Sequence, residues 1–235
     1  MNFTYQDVAK TIDHSLLNPT LTVSDLEQGC ELASRFDVAS VCILPYYVRR
    51  CAEILRGTSV VASTTIGFPH GGHTTAVKVA EGEGALTDGA RELDMVVNIS
   101  KVLSGDYAYV GAEVARLVGV AHAGEGKLKV IFENCYLSTE QKVRLCRLCS
   151  DAGVDWVKTS TGYGTGGARI EDLELMLRNV ASSVQVKAAG GVRDLDTLLK
   201  IKEMGVTRCG ATRTATMLNE FRARLGREPI TLNFG

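Results

Sequence analysis

This sequence predicts an α/β fold, a single (β/α)8 TIM barrel, and three observations carry that expectation. Short apolar, β-branched runs alternate with longer amphipathic segments. Eight such runs can be counted, and each ends in polar or glycine-rich residues, as repeated βα units do. Nothing resembles a linker: four prolines, dispersed glycines and no low-complexity or single-sign stretch mark no boundary in 235 residues, so one domain over 1–235 is expected.

Taken in order, the expected strands are "TIDHS" (11–15), "ASVCIL" (39–44), "SVVASTTIG" (59–67) and "ELDMVVNI" (92–99), then "KLKVIFE" (127–133), "DWVKTS" (155–160), "VQVKAA" (184–189) and "VTRCGA" (206–211). Between them lie stretches with apolar residues at i, i+3, i+4 spacing, each fit to cover one side of a sheet. "SDLEQGCELASRF" offers Ser24 as N-cap with Glu27 completing a capping box, and "STEQKVRLCRLCSDAG" stops at Gly153. "TTAVKVAEGEGALTDGA", "RIEDLELMLRNV" and "DLDTLLKIKEMG" follow the same period. Eight strands alternating with eight helical segments fit a closed barrel; a doubly wound open sheet is the alternative.

Net charge is -1 and pI about 6.4, so there is no basic field to meet a phosphate backbone or an anionic membrane. No run approaches the roughly 18 apolar residues of a membrane span, and the opening "MNFTYQDVAKTIDH" lacks a charged region followed by an apolar core. A cytoplasmic protein without nucleic-acid or membrane partners is expected. The seven cysteines, odd in number and set in apolar segments, read as small buried hydrophobes in a reducing compartment. Cys146 and Cys149 have metal-type spacing, but no second pair accompanies them and their stretch is helical in period.

In such a barrel, functional groups gather at the carboxyl ends of strands and in the loops that follow. Lys158 closes the sixth strand before "TSTGYGTGG", and Lys187 closes the seventh before "AAGG". Lys129 lies in the fifth strand and Asp94 in the fourth, so neighbouring strands bring the four side chains together. A single strand lysine reads equally as structural, snorkelling past the rim or paired with a carboxylate. The cluster points further. An amine with its free pKa of about 10.4 is protonated at neutral pH, and desolvation or a second ammonium lowers that value. A free amine attacks a carbonyl to form a Schiff base, whose iminium draws electrons from the neighbouring carbon. Lys158 beside Lys187 suits this chemistry, with Asp94 as proton carrier through a water or as the anion that orients the second lysine.

Glycine-rich turns mark the other end of a ligand. "STGYGTGG", "AGGVR" and "GATRTATM" put backbone N–H groups at the barrel mouth, with Thr212 and Arg213 at a helix start. Loops after the seventh and eighth strands often bind phosphate with a helix N-terminus, although either glycine pair alone is an ordinary tight turn. His70 and His73 in "GFPHGGHTT" have no acidic cluster beside them and read as turn histidines before metal ligands. Cys42 in "SVCILP" reads as core, at a strand end facing the site.

Together these residues resemble the deoxyribose-phosphate aldolase family over nearly the whole chain. "IDHSLL", "VCILPYYV", "TTIGFPHG", "ELDMVVNI", "LKVIFE", "VKTSTGY" and "VKAAGGVR" appear in the family's order and spacing. The resemblance implies a class I aldolase, without cofactor or metal, that reversibly cleaves 2-deoxy-D-ribose 5-phosphate to acetaldehyde and D-glyceraldehyde 3-phosphate in deoxyribonucleotide catabolism. By this likeness Lys158 forms the Schiff base, Lys187 perturbs that amine and Asp94 takes part in proton relay. Asp13, Ser15, Cys42 and Lys129 match positions lining the pocket; Gly162, Gly190 and Gly191 match positions near the phosphate, and Thr161 of the same motif joins the substrate-binding candidates. Family members often form dimers, so a homodimer is an expectation.

The chain departs from the family pattern in places. Ser15 stands where threonine is usual, Asn134 follows Glu133 where threonine is common, and Thr212-Arg213 replaces a Ser-Ser pair at the phosphate helix. An arginine there strengthens phosphate capture through a bidentate contact, or points outward and leaves a weaker site. Three rival readings stand beside this one. They are a metal-dependent aldolase using His70 and His73, a non-catalytic sugar-phosphate-binding barrel, and a Schiff-base aldolase or transaldolase of different aldehyde preference.

Overall fold

In the computed structural model, which describes residues 3–232, each apolar run is a strand and each periodic segment a helix laid on its outside. The chain runs α1 (Tyr5–Ala9), β1 (Ile12–Leu16), α2 (Val23–Phe36), β2 (Ser40–Ile43), α3 (Val48–Ile54), β3 (Val61–Ile66), α4 (Thr75–Thr87) and β4 (Glu92–Val96). It continues α5 (Ile99–Leu103), α6 (Tyr107–Ala123), β5 (Lys127–Ile131), α7 (Thr139–Asp151), β6 (Trp156–Lys158), α8 (Ile170–Asn179), β7 (Gln185–Ala189), α9 (Leu195–Glu203), β8 (Arg208–Ala211) and α10 (Thr214–Arg224). All eight expected strands are present, each parallel to its sequence neighbour, and β8 pairs with β1. The result is a closed (β/α)8 TIM barrel and not an open sheet. Ten α-helices stand among the described residues where eight helical segments are expected, the short α1 and α5 being extra.

Strand periodicity divides the side chains between two environments. In β4, Leu93 and Met95 are fully buried against the helices: a Cβ at Gly82 of α4 would stand 3.5 Å from Leu93. Their neighbours Glu92 and Asp94 turn into the barrel, as Lys129 does between Leu128 and Val130. Burying a Val, Leu or Ile contributes about 1.5–3 kcal/mol each, whereas each buried ion costs several kcal/mol before pairing. The apolar layer between strands and helices therefore supplies the stability, and the charged interior draws on it.

The start of α2 differs from the expected cap. Thr22 is the N-cap, with extended backbone (φ -76°, ψ 167°), and it forms a capping box with Asp25. Ser24 lies inside the helix and Glu27 binds Arg50 at 2.8 Å. Overlapping triads, Thr22 to Asp25 and Ser24 to Glu27, both fit the capping pattern. The turn closed by Leu21 N–H on the Asn18 carbonyl delivers Thr22 extended and decides between them. Helix α7 matches the expectation, capped by Ser138 with Gln141 and followed by Gly153 at φ +75°.

Candidate active site

Register places the reactive groups. Lys158 and Lys187 are Cα partners across β6 and β7, and Asp94 and Lys129 are partners across β4 and β5. Partners on neighbouring strands lie about 4.8 Å apart with side chains on the same face, so both pairs enter the barrel interior together. Lys158 does close β6, but Lys187 is mid-strand: β7 runs on to Ala189 before the Gly190 turn.

The four side chains meet. Lys158 Nζ and Lys187 Nζ each donate to Asp94 Oδ2 at 2.7 Å, and Lys129 Nζ donates to Asp94 Oδ1 at 2.8 Å. Lys187 also pairs with Asp13 Oδ2 at 2.5 Å, and Lys129 with Glu92 Oε2 at 2.6 Å. Beneath them Arg208 on β8 binds Asp13 and reaches Glu92 Oε1 at 2.5 Å. Four basic groups, Lys129, Lys158, Lys187 and Arg208, thus share three carboxylates, Asp13, Glu92 and Asp94. A buried net charge is costly, and it bears hardest on the cation with the fewest anions.

Partner number ranks the lysines. Lys158 has one carboxylate partner, Asp94, whereas Lys187 has two and Lys129 three. Burial pushes the Lys158 pKa down; the Asp94 charge opposes, the Lys187 charge adds to the fall, and the outcome is downward. Burial acts on Lys187 and Lys129 as well, but there the carboxylates outweigh it and both pKa values rise. The lysines around Asp94 overcome its burial and hold its carboxyl well below the usual range, so it stays an anion.

Above this cluster opens a cavity of about 960 Å³. Asp13, Ser15, Cys42, Lys158 and Lys187 line its inner end. Thr161, Gly162, Gly190, Gly191 and Thr212 line it toward the mouth, while Asp94 and Lys129 lie behind the lysines. Gly162, Gly190 and Gly191 have φ of +89°, +81° and +95°, a region open to glycine at no steric cost. A Cβ on Gly167 would stand 2.2 Å from the Gly190 carbonyl oxygen, so the two turns meet backbone to backbone. No side chain caps the N-terminus of α10, which follows Thr212 and Arg213, so its first N–H groups are open to an anion. Arg213 itself is exposed and away from the cavity lining; Arg193, which the sequence reading passed over, is part of it.

Other candidates separate from the site. His70 is exposed, and His73 stands 3.8 Å from Glu81 at the surface. Among the described residues no three His, Cys, Asp or Glu side chains are arranged to hold a metal ion. Cys42 is buried in the cavity wall, and its thiol pKa is pushed up by burial and by Asp94. Cys146 and Cys149 are buried, unlinked residues of α7. No described helix is long and apolar enough to cross a membrane.

Residues 7–222 match the family model described as DeoC/LacD family aldolase. The chain belongs to the DeoC/LacD aldolase family. Within it, the chain is 61% identical over 231 residues to the deoxyribose-phosphate aldolase of Rhodopirellula baltica, covering 98% of this chain and 96% of that one. It is 45% identical over 208 residues to the deoxyribose-phosphate aldolase of Thermococcus gammatolerans, covering 88% and 92%. Among solved structures, deoxyribose phosphate aldolase from Aeropyrum pernix superposes with TM-score 0.86 at 28% identity, covering 94% and 93%.

This DeoC/LacD aldolase also carries residues that the sequence reading did not single out. Arg208 is the same anomaly as the lysines, a cation inside an apolar strand, and Glu92 stands two residues before Asp94 on the same face. His14 is buried at the cavity wall with Nδ1 2.8 Å from Thr214 Oγ1, beside Asp13 in the same motif. Glu133 follows an apolar run and reads as a strand end, yet it is buried and binds Thr161.

Proposed function

We propose that this aldolase cleaves 2-deoxy-D-ribose 5-phosphate reversibly to acetaldehyde and D-glyceraldehyde 3-phosphate through a Schiff base on Lys158, with Lys187 and Asp94 completing the catalytic set. The relatives' shared activity supports the substrate. The observation that carries the mechanism is Lys158 alone among the four cations with its pKa lowered, at the wall of an open cavity.

Lys158 Nζ adds to the C1 carbonyl of the open-chain sugar, and loss of water leaves an iminium. Removal of the C3 hydroxyl proton lets the C2–C3 bond break, its electron pair moving into the enamine while C3 becomes the aldehyde of glyceraldehyde 3-phosphate. Protonation at C2 and hydrolysis then release acetaldehyde and the free amine. Asp94, held ionised, serves the proton transfers through a water and balances the cationic iminium. Lys187 stays charged and disfavours a proton on Lys158. Gly162, Gly190, Gly191, Thr212 and the open end of α10 form the phosphate cradle, with Asp13, Ser15, Cys42 and Thr161 shaping the pocket beneath it and Lys129 behind them on Asp94.

Borohydride treatment with acetaldehyde in the presence of a chelator, followed by peptide mass spectrometry, tests this reading. A reduced two-carbon adduct on Lys158 is expected; adduct on another residue or none overturns it. We also propose a single cytoplasmic domain acting as a homodimer. Seven unlinked cysteines suit a reducing compartment, and light scattering tests the dimer against the tetramer of the Aeropyrum pernix relative.

A further inference from the structure

Thr161 connects Lys158 to the glycine loop, and both of its donors go to one side chain. The Glu133 carboxylate accepts the Thr161 backbone N–H at 3.3 Å from each oxygen, and its Oε2 accepts the Thr161 hydroxyl. That hydroxyl accepts the Tyr163 N–H at 3.0 Å, so residues 161–163 are wound against a carboxylate. Glu133 is buried and does not line the cavity. A Cβ on Gly164 would stand 2.9 Å from its carboxyl carbon, so the loop passes close over it.

The backbone of Glu133 is left-handed, at φ +56° and ψ +64°. Glycine takes this conformation freely and glutamate does not. It persists where surroundings over-determine it. Here Phe132 N–H bonds the Lys158 carbonyl and Asn134 N–H the Thr159 carbonyl, both at 2.9 Å. The side chain between them is thereby delivered under the next loop. A residue whose only part were to turn the chain at this position would be better served by glycine.

We infer that Glu133 holds, through Thr161, the glycine turn that receives the phosphate end of the substrate. It is a positioning residue and touches neither substrate nor the reacting atoms. This inference rests on the phosphate cradle proposed above. With its N–H and hydroxyl both given to Glu133, Thr161 offers the phosphate no donor, and the first free N–H in the loop belongs to Gly162.

Glu133→Gly removes the carboxylate and relieves the backbone at once, with trapping at Lys158 as the check that the variant folds; Glu133→Gln keeps the shape and half the acceptors. Both are assayed with deoxyribose 5-phosphate and with unphosphorylated 2-deoxyribose. For Glu133→Gly, KM for the phosphorylated sugar is expected to rise tenfold or more, while kcat/KM for deoxyribose stays within twofold and acetaldehyde trapping at Lys158 is unchanged. Glu133→Gln should fall between the variant and the unaltered protein. Equal losses on both sugars, or an unchanged KM, overturn the inference. Gly162→Val separates the two assignments: if it raises KM for the phosphorylated sugar and Glu133→Gly does not, the cradle stands and only Glu133 loses its part. If Gly162→Val spares that KM, the cradle falls and the inference with it.

Discussion

Lys158 and Lys187 donate to the same atom, Asp94 Oδ2, each at 2.7 Å. Two ammonium groups on one carboxylate oxygen repel each other, and Lys187 has a second anion, Asp13, to hold its charge. Lys158 has no second anion, and its pKa is the one that falls.

Lys158→Leu is therefore expected to abolish turnover and borohydride trapping while leaving stability within about 1 kcal/mol. The variant keeps three cations against three carboxylates, the balance of the free-amine form. Urea unfolding beside the activity assay checks it. A collapse in stability would mean that Lys158 is charged at rest.

Lys187→Leu removes one cation, and the same balance then favours a proton on Lys158. Loss of a nearby positive charge raises the Lys158 pKa, so less free amine remains at neutral pH. The rising limb of the pH–kcat/KM profile should move to higher pH, with lower activity at pH 7. An unmoved limb would remove Lys187 from its proposed part.

His14 adds a pH dependence of stability that is separate from catalysis. Burial lowers its pKa from 6.5 to about 4 in the folded chain. Between those values the unfolded chain binds a proton that the folded chain refuses, so this contribution is complete above pH 6.5 and lost as pH falls toward 4. A shift of this size amounts to about 3 kcal/mol. Unfolding free energies at pH 7 and 4.5 should differ by most of that amount, and His14→Asn should flatten the slope. Asp13 and Asp94, whose pKa values are depressed, act in the more acidic range below the ordinary aspartate value.

Lys78 of α4 and Glu113 of α6 form a second ion pair, at 2.9 Å and fully buried, with Lys78 also bonded to the Val96 carbonyl at the end of β4. Lys78→Met or Glu113→Leu alone should cost about 3–5 kcal/mol by stranding a buried charge, and the double variant much less. A double-mutant cycle by urea unfolding measures the coupling. Additive losses would refute it.

Much of this was legible in the chain. The eight strands are short β-branched runs, and Lys158 and Lys187 are conspicuous because a cation inside such a run needs a partner. Glu92 was less visible: it stands at the first residue of its strand, where a charge ordinarily meets solvent, and its inward contacts come from Lys129 on β5 and Arg208 on β8. Arg213 stood beside Thr212 at the helix start, but in the fold it is exposed and outside the cavity lining.

By itself the sequence determined the barrel, the residue types at its mouth and the pairing of two lysines, because these follow from periodicity and from local register. Tertiary structure decided which lysine has its pKa lowered and which have theirs raised. That depends on how many carboxylates each ammonium meets, and they come from β1 and β4, the latter 93 residues from Lys187 along the chain. Electrostatic energy sums over distance in space, and spacing along the chain does not contain it.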